Sequence, residues 1–125
     1  MDLPQDVKYT DDHEWARLEN DIITIGITDF AQSELGDIIF VEFPELNINV
    51  SQKDPIGTLE AVKTVADIFS PIAGTIVELN ENLESKPELI NENPYNEGWI
   101  LKIKVNNPSE FDSLLSHSDY EKIIK

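Results

Sequence analysis

Ile23, Ile25 and Ile27 alternate with Ile22, Thr24 and Gly26, so one face of this segment is uniformly apolar. Alternation with a period of two is the signature of a half-buried β-strand. Ile39, Val41 and Phe43 repeat the pattern after Gly36-Asp37, and Ile72 to Leu79 follows a break at Ser70-Pro71. Trp99, Leu101, Ile103 and Val105 alternate with Lys102 and Lys104. Short runs of this kind, separated by Pro, Gly and Asn, predict a mainly β, antiparallel sandwich or barrel. Helical signals are few and local. Asp29 with Gln32 three residues on reads as a capping box, and Gly36 as a stop, which predicts a helix over 29–35. Pro108-Ser109 before Phe111, Leu114 and Leu115 predicts a second short helix, and Ser118 with Glu121 a cap before Ile123 and Ile124. Residues 80–98, rich in Asn, Glu and Pro, read as a loop with one helical turn near 83–89. The C-terminal helical segment spans about 108–124, and the whole chain, 1–125, reads as one domain.

One segment departs from ordinary strand chemistry. Glu60-Ala61-Val62-Lys63-Thr64-Val65-Ala66-Asp67 reads almost the same in both directions around a single lysine. With Lys63 and Thr64 at a hairpin tip, Val62 faces Val65, Ala61 faces Ala66, Glu60 faces Asp67 and Leu59 faces Ile68. Matched pairs of this kind favour cross-strand packing. The tip lacks the Asn-Gly or Gly-X chemistry that two-residue turns with positive φ demand, so turn formation does not explain Lys63-Thr64. A solvated surface lysine is the plain reading. The alternative is an amine displayed on a stiff protrusion for another protein's active site.

Charge and composition narrow the choice. Nine basic against 25 acidic residues give a net charge of −16, which disfavours nucleic acid and anionic lipid as partners. The same charge keeps a protein soluble and monomeric, and can steer it toward basic partners. No cysteine is present, which excludes disulfides, thiolate metal sites and a cysteine nucleophile. No apolar run approaches the roughly 18 residues that span a bilayer. Met1-Asp2-Leu3-Pro4 has neither a basic nor an apolar leader region, and is not an Arg-rich transit peptide. A cytoplasmic, bacterial protein is expected, or else the mature form of a mitochondrial-matrix one. The sequon Asn49-Val50-Ser51 then has no glycosylation role.

Other conspicuous residues have structural readings. Trp15, Tyr95 and Trp99 are expected in core and corner packing. Asn96-Glu97-Gly98 reads as a turn, and Gly74 as relief of crowding at a strand junction. His13 beside Glu14 suggests acid–base work, but the second histidine, His117, lies far along the chain, so no metal site or triad is expected. There is no Gly-rich phosphate loop, nucleophile elbow or HExxH.

The segment Gly57 to Pro71, around Lys63, resembles the lipoyl-attachment hairpin of the glycine cleavage system H protein family. Three further stretches resemble it in order and spacing: Lys8-Tyr9-Thr10 through His13-Glu14-Trp15, Gly26 to Gln32, and Asn93 to Trp99. Together they cover about residues 7–105. The resemblance implies a barrel-sandwich hybrid of the lipoyl/biotinyl-like kind. It also implies a non-catalytic carrier, with (R)-lipoate joined to Lys63 as an amide by a separate lipoylating enzyme. An ordinary lysine ammonium is a poor nucleophile without a desolvated pocket, which agrees with a modified rather than a catalytic Lys63.

By the same resemblance the lipoyl arm takes up the aminomethyl group of glycine at glycine decarboxylase as CO2 leaves. Aminomethyltransferase then passes the carbon to tetrahydrofolate, and dihydrolipoamide dehydrogenase reoxidises the arm. The hard chemistry belongs to the partners' cofactors, and the carrier supplies tethering. Glu60 and Gly74 match positions associated with recognition by the modifying enzyme. Glu14 and Asp67 match acidic residues of a cleft that shelters the loaded arm. Where the family often has histidine, this chain has Glu34, read here as facing solvent. A lipoate-relay protein serving oxoacid dehydrogenase subunits is the nearest rival and uses the same lysine. A lipoyl or biotinyl domain of a multienzyme complex fits less well, because Val62 and Thr64 flank the lysine where biotin sites carry methionine. A small acidic hydrolase lacks the residues it would need.

Overall fold

Burial alternates along residues 22–25 as the sequence does: Ile23 and Ile25 are buried, Ile22 and Thr24 partly so, and Gly26 and Ile27 are then both buried. In the computed structural model, which describes residues 2–125, this run is strand β3, Ile22–Ile27. Met1, where the expected domain begins, lies outside the described residues. The preceding strands are β1, Lys8–Tyr9, and β2, Glu14–Glu19. Helix α1, Asp29–Leu35, follows, then β4, Ile38–Glu42, β5, Asn49–Val50, and β6, Pro55–Ala61. Next come β7, Val65–Phe69, and β8, Gly74–Leu79. Two single-turn helices, α2, Asn82–Ser85, and α3, Leu89–Glu92, precede β9, Leu101–Val105. A 3-10 helix, Pro108–Ser113, and α4, His117–Ile123, end the chain.

The strands form two antiparallel sheets, ordered β1-β2-β3-β9-β8-β5 and β4-β6-β7. Their inner faces share one apolar core, in which Ile23, Ile25, Ile56, Leu59, Ile68 and Ile103 are almost completely inaccessible. Mainly β architecture with a few short helices, including a C-terminal one, is therefore the observed fold. A second cluster behind the large sheet joins Val7, Tyr9, Trp15, Tyr95 and Tyr120. There Trp15 lies directly across from Gly26, and its indole covers the bare glycine. The indole N–H donates to the Pro94 carbonyl at 2.9 Å. Trp15 and Tyr95 thus pack as expected, while Trp99 is half-buried with the Lys102 ammonium over its ring.

Several local expectations are corrected. Ile39 does not share a face with Val41: the β4–β6 ladder shifts register between Ile38 and Phe40. That bulge puts Ile38 and Val41 inside and leaves Ile39 and Phe40 exposed. The hairpin tip is Val62-Lys63, not Lys63-Thr64. The Ala61 amide donates to the Thr64 carbonyl, and Glu60 pairs with Val65, Leu59 with Ala66, and Thr58 with Asp67. Both registers keep Leu59, Ala61, Ala66 and Ile68 on the inner face, so hydrophobicity does not choose between them. The observed one lets the Val62 amide donate to the Asp37 carbonyl, continuing the β4 ladder to the tip. Neither tip residue has positive φ, so the turn needs no Asn-Gly.

The helix caps also move. Thr28, extended at φ −74° and ψ 164°, caps α1 by accepting from the Ala31 amide. Asp29 is already helical, and its carboxylate accepts from the Gln32 side chain instead. Gly36 ends the helix as expected, at φ 79°. Residues 80–98 hold two helical turns instead of one. The C-terminal segment is split, because Leu115 exchanges backbone hydrogen bonds with Tyr9 and interrupts helicity there. Asn107 caps the 3-10 helix, and Ser116 supplies the cap of α4 in place of Ser118.

A Cβ added at Gly26 would stand 2.6 Å from the Trp15 indole nitrogen. Gly26→Ala is expected to lower stability by about 1–3 kcal/mol, as overpacking of close core contacts does. Urea unfolding measures it: the midpoint falls at constant slope, and an unchanged midpoint would show that the indole yields freely.

Candidate functional site

Lys63 is exposed at the hairpin tip, and among the described residues it takes part in no ion pair. Two supports hold that tip. One is the β4 ladder described above. The other is Asn91 of α3, whose amide donates to Gln32 and to the Gly36 carbonyl and whose oxygen accepts from the Ile38 amide. Asn91 thereby fixes the end of α1 against the start of β4. The Lys63 stem lies over this junction: a Cβ placed on Gly36 would be 3.6 Å from Lys63 Cε.

The same junction borders an open cleft of about 260 Å³. One wall is the turn before β2, with Asp12 and His13, and Glu14 at the start of that strand; a second is α1, with Phe30, Ala31, Glu34 and Leu35. The hairpin contributes Leu59, Ala66, Asp67 and Ile68. The lining is therefore mostly apolar with acids at intervals. Glu34 is exposed, as expected, and also stands on the rim of this cleft.

Glu14 is the deepest polar group, only 2% exposed. One carboxylate oxygen accepts from the Thr10 hydroxyl at 2.7 Å and the other from the Phe69 amide at 3.1 Å. These bonds stabilise the anion, but burial outweighs them and pushes the Glu14 carboxyl up to about 7. The turn that carries it is held from outside by Lys53, whose ammonium lies 2.8 Å from Asp11 and 3.0 Å from Asp12. Those two contacts raise the Lys53 ammonium above its ordinary value and lower Asp11. His13, in the left-handed region at φ 69°, packs its ring 5.0 Å from that of Phe30. Burial holds its imidazole below the usual range.

The other expected site residues are placed differently. Glu60 is exposed on the outer face of the small sheet, in register with Phe40 on one side and Val65 on the other. Asp67 borders the cleft, but its carboxylate accepts from the Thr58 hydroxyl and is exposed. Gly74 is buried, with room for no more than a hydrogen: a Cβ there would run into the Lys104 carbonyl of β9. Packing alone requires glycine at that position. Sequence reasoning missed Thr10, Phe30, Lys53 and Asn91. Phe30 sits on the inner side of a helix that was legible, but the others act across 4 to 59 residues of chain, without a local signal. Among the described residues no cluster of acids and histidines is suited to a metal ion, and no helix is long and apolar enough to cross a membrane.

The sequence pattern of the family described as Glycine cleavage H-protein matches residues 7–125. The chain is 46% identical over 124 residues to the glycine cleavage system H protein of Staphylococcus carnosus, covering 99% of this chain and 98% of that one. It is 51% identical over 124 residues to the corresponding protein of Listeria monocytogenes, covering 99% of both. Its fold is similar to the crystal structure of a glycine cleavage system H protein from Mycobacterium marinum, with a TM-score of 0.87 and 34% identity. That likeness covers 95% of this chain and 96% of the other. The chain belongs to the glycine cleavage H-protein family, carrier components of the glycine cleavage system.

Proposed function

We propose that Lys63 carries an (R)-lipoyl group and that the chain shuttles the aminomethyl group of glycine between partner enzymes. One observation carries this reading: the exposed lysine of a doubly supported hairpin tip lies beside an apolar cleft with a carboxylate at its base. The residues present fit the group. Leu35, Leu59, Ala66 and Ile68 suit an alkyl arm, and Glu14 suits a polar, cationic end. When bound, the dithiolane supplies the reversible sulfur chemistry that takes up and releases one carbon.

This chain's own residues bind, orient and exclude water. The stiff hairpin holds the attachment point exposed at its tip, and tethering the arm there raises its effective concentration at each visited site. The cleft withdraws the arm from bulk water. Glu14 provides the electrostatic complement: an ammonium brought beside it would favour the carboxylate form and offset the desolvation that burial imposes. Glu34 on the rim, and Asp67 when released from Thr58, extend that acidic lining.

For modification, Glu60 between exposed Phe40 and Val65 presents an acid in an apolar row next to the tip, a surface a lipoylating enzyme can read. Gly74 serves that recognition only through the close approach of β8 to β9. The partners are then glycine decarboxylase, aminomethyltransferase and dihydrolipoamide dehydrogenase. A net charge of −16 favours basic rims on them and a monomer in the cytoplasm, with no nucleic acid and no membrane.

Lys63→Arg should abolish the lipoyl mass increment on incubation with lipoate, ATP and a lipoylating enzyme while unfolding at the same urea concentration as wild type. Intact mass spectrometry reads the outcome, and a Lys63→Arg chain that still gains the increment places attachment elsewhere.

Glu14 gives a pH signature. Its folded value of about 7 lies above the ordinary 4.5, so the native state holds the proton more tightly than the unfolded chain does. Stability is therefore undiminished below about 4.5, falls as pH rises through the window to 7, and then levels. At about 1.4 kcal/mol per unit the loss amounts to about 3 kcal/mol. Glu14→Gln removes this slope. Urea titrations across pH 4 to 8 should show the variant gaining on wild type through that window, whereas parallel pH profiles would mean the carboxylate is solvated.

A further inference from the structure

Tyr120 is the buried residue of α4, and its surroundings give it more to do than fill the second cluster. Its ring stacks on Tyr9, with centroids 4.7 Å apart and planes within 4°. Its hydroxyl lies 2.7 Å from His13 Nδ1 and 2.8 Å from Thr28 Oγ1. Those two partners stand on two elements that line the cleft. His13 stands in the turn before β2, and Thr28 caps α1, which carries Phe30 and Leu35.

Each hydroxyl has one proton and two lone pairs, so both contacts can be satisfied in either direction. We assign Thr28 as the donor to Tyr120 and Tyr120 as the donor to His13 Nδ1, which leaves the imidazole neutral with its proton on Nε2. Burial agrees on both sides, holding His13 below the usual imidazole range and pushing the Tyr120 phenol up to about 12. The walls are also joined once through backbone, where the Thr28 amide donates to the His13 carbonyl at 3.0 Å. The hydroxyl is the only side-chain group among the described residues that bonds to both His13 and Thr28.

We propose that Tyr120 is a positioning residue for the arm cleft: its hydroxyl pins the His13 ring to the N-terminus of α1 and so sets the gap between His13 and Phe30. The inference rests on the reading of the cleft as the shelter of the Lys63 arm. A residue there only for packing would act through its ring, whereas this role resides in the oxygen. The C-terminal helix thereby belongs to the functional site, although none of its residues lines the cleft.

Tyr120→Phe keeps the ring and removes the oxygen. Tyr9→Phe is the control, because it deletes a hydroxyl from the same aromatic stack whose one partner is the Pro4 carbonyl, outside the cleft. Nitrogen NMR of the full chain should show His13 in wild type as a single Nε2–H tautomer with Nδ1 accepting. In Tyr120→Phe the Nδ1 signal should move toward that of a free acceptor with exchange between tautomers, and in Tyr9→Phe it should stay in place. With lipoylated chains loaded from glycine, shedding of the aminomethyl group without aminomethyltransferase should be roughly three- to tenfold faster in Tyr120→Phe, the factor one net hydrogen bond carries. An unmoved His13 signal overturns the proposal. So does equal shedding by wild type and Tyr120→Phe, or an equal rise in Tyr9→Phe. A wild type that never loads defeats the carrier reading and the positioning role of Tyr120 with it, whereas one that loads but sheds no more slowly than Tyr120→Phe defeats that positioning role alone.

Discussion

The Glu14 carboxylate stands where the two sheets meet, bonded to Thr10 ahead of β2 and to the Phe69 amide at the end of β7. Among the buried described residues it is the one acid. A chain with 25 acidic residues has ample room to keep carboxylates in water, so burying one demands a physical return. Its two hydrogen bonds recover part of the desolvation, yet burial still dominates. What results is a carboxyl poised near neutrality beneath an apolar cleft. Such a group is complementary to a cation arriving with an apolar stem, and poorly matched to a neutral or anionic visitor. The seam between the sheets thus decides both the shape of the cleft and the chemistry it admits.

Around that seam, stiffness is distributed unevenly. The turn that carries Glu14 is tied by Lys53, by the Thr10 hydroxyl and by the bond from Tyr120 to His13. The hairpin is tied by the β4 ladder and through Asn91. The Lys63 ammonium, by contrast, takes part in no ion pair among the described residues. The surface ion pairs of Lys53 contribute little to global stability, since exposed pairs are worth about 0–1 kcal/mol. Their effect is local, holding an acidic turn that would otherwise repel itself. On the carrier reading, a fixed base with an exposed amine at its tip suits a group that several enzymes reach in turn.

Local chemistry made much of this legible from sequence. The alternation at Ile23, Ile25 and Ile27, the helix over 29–35 with its glycine stop, and Lys63 on a protruding hairpin are all set by near neighbours. The misses share a different cause. The hairpin register turns on the Val62 amide meeting Asp37, and the exposure of Ile39 on a bulge, both invisible to a pattern that is satisfied either way. The break at Leu115 depends on Tyr9, and the placing of His13 on Tyr120, more than a hundred residues away. Period and propensity report which face is apolar. They do not report which distant backbone group or hydroxyl completes a hydrogen bond, and those bonds shape the cleft walls.

On the carrier reading, two demands oppose each other. Tethering needs an arm that leaves the body readily, and protection needs one that stays in the cleft. An enclosed apolar cavity would satisfy only the second, since burial free energy grows with every methylene removed from water. The cleft here is open and bounded by an exposed acid, Glu34, so apolar contact holds the arm only in part. The rest of the seating falls to Glu14, which strengthens it when the visitor is charged and weakens it when the visitor is not. Retention then follows the chemical state of the arm instead of its length. That dependence is what lets one static scaffold shelter a loaded group and release an empty one.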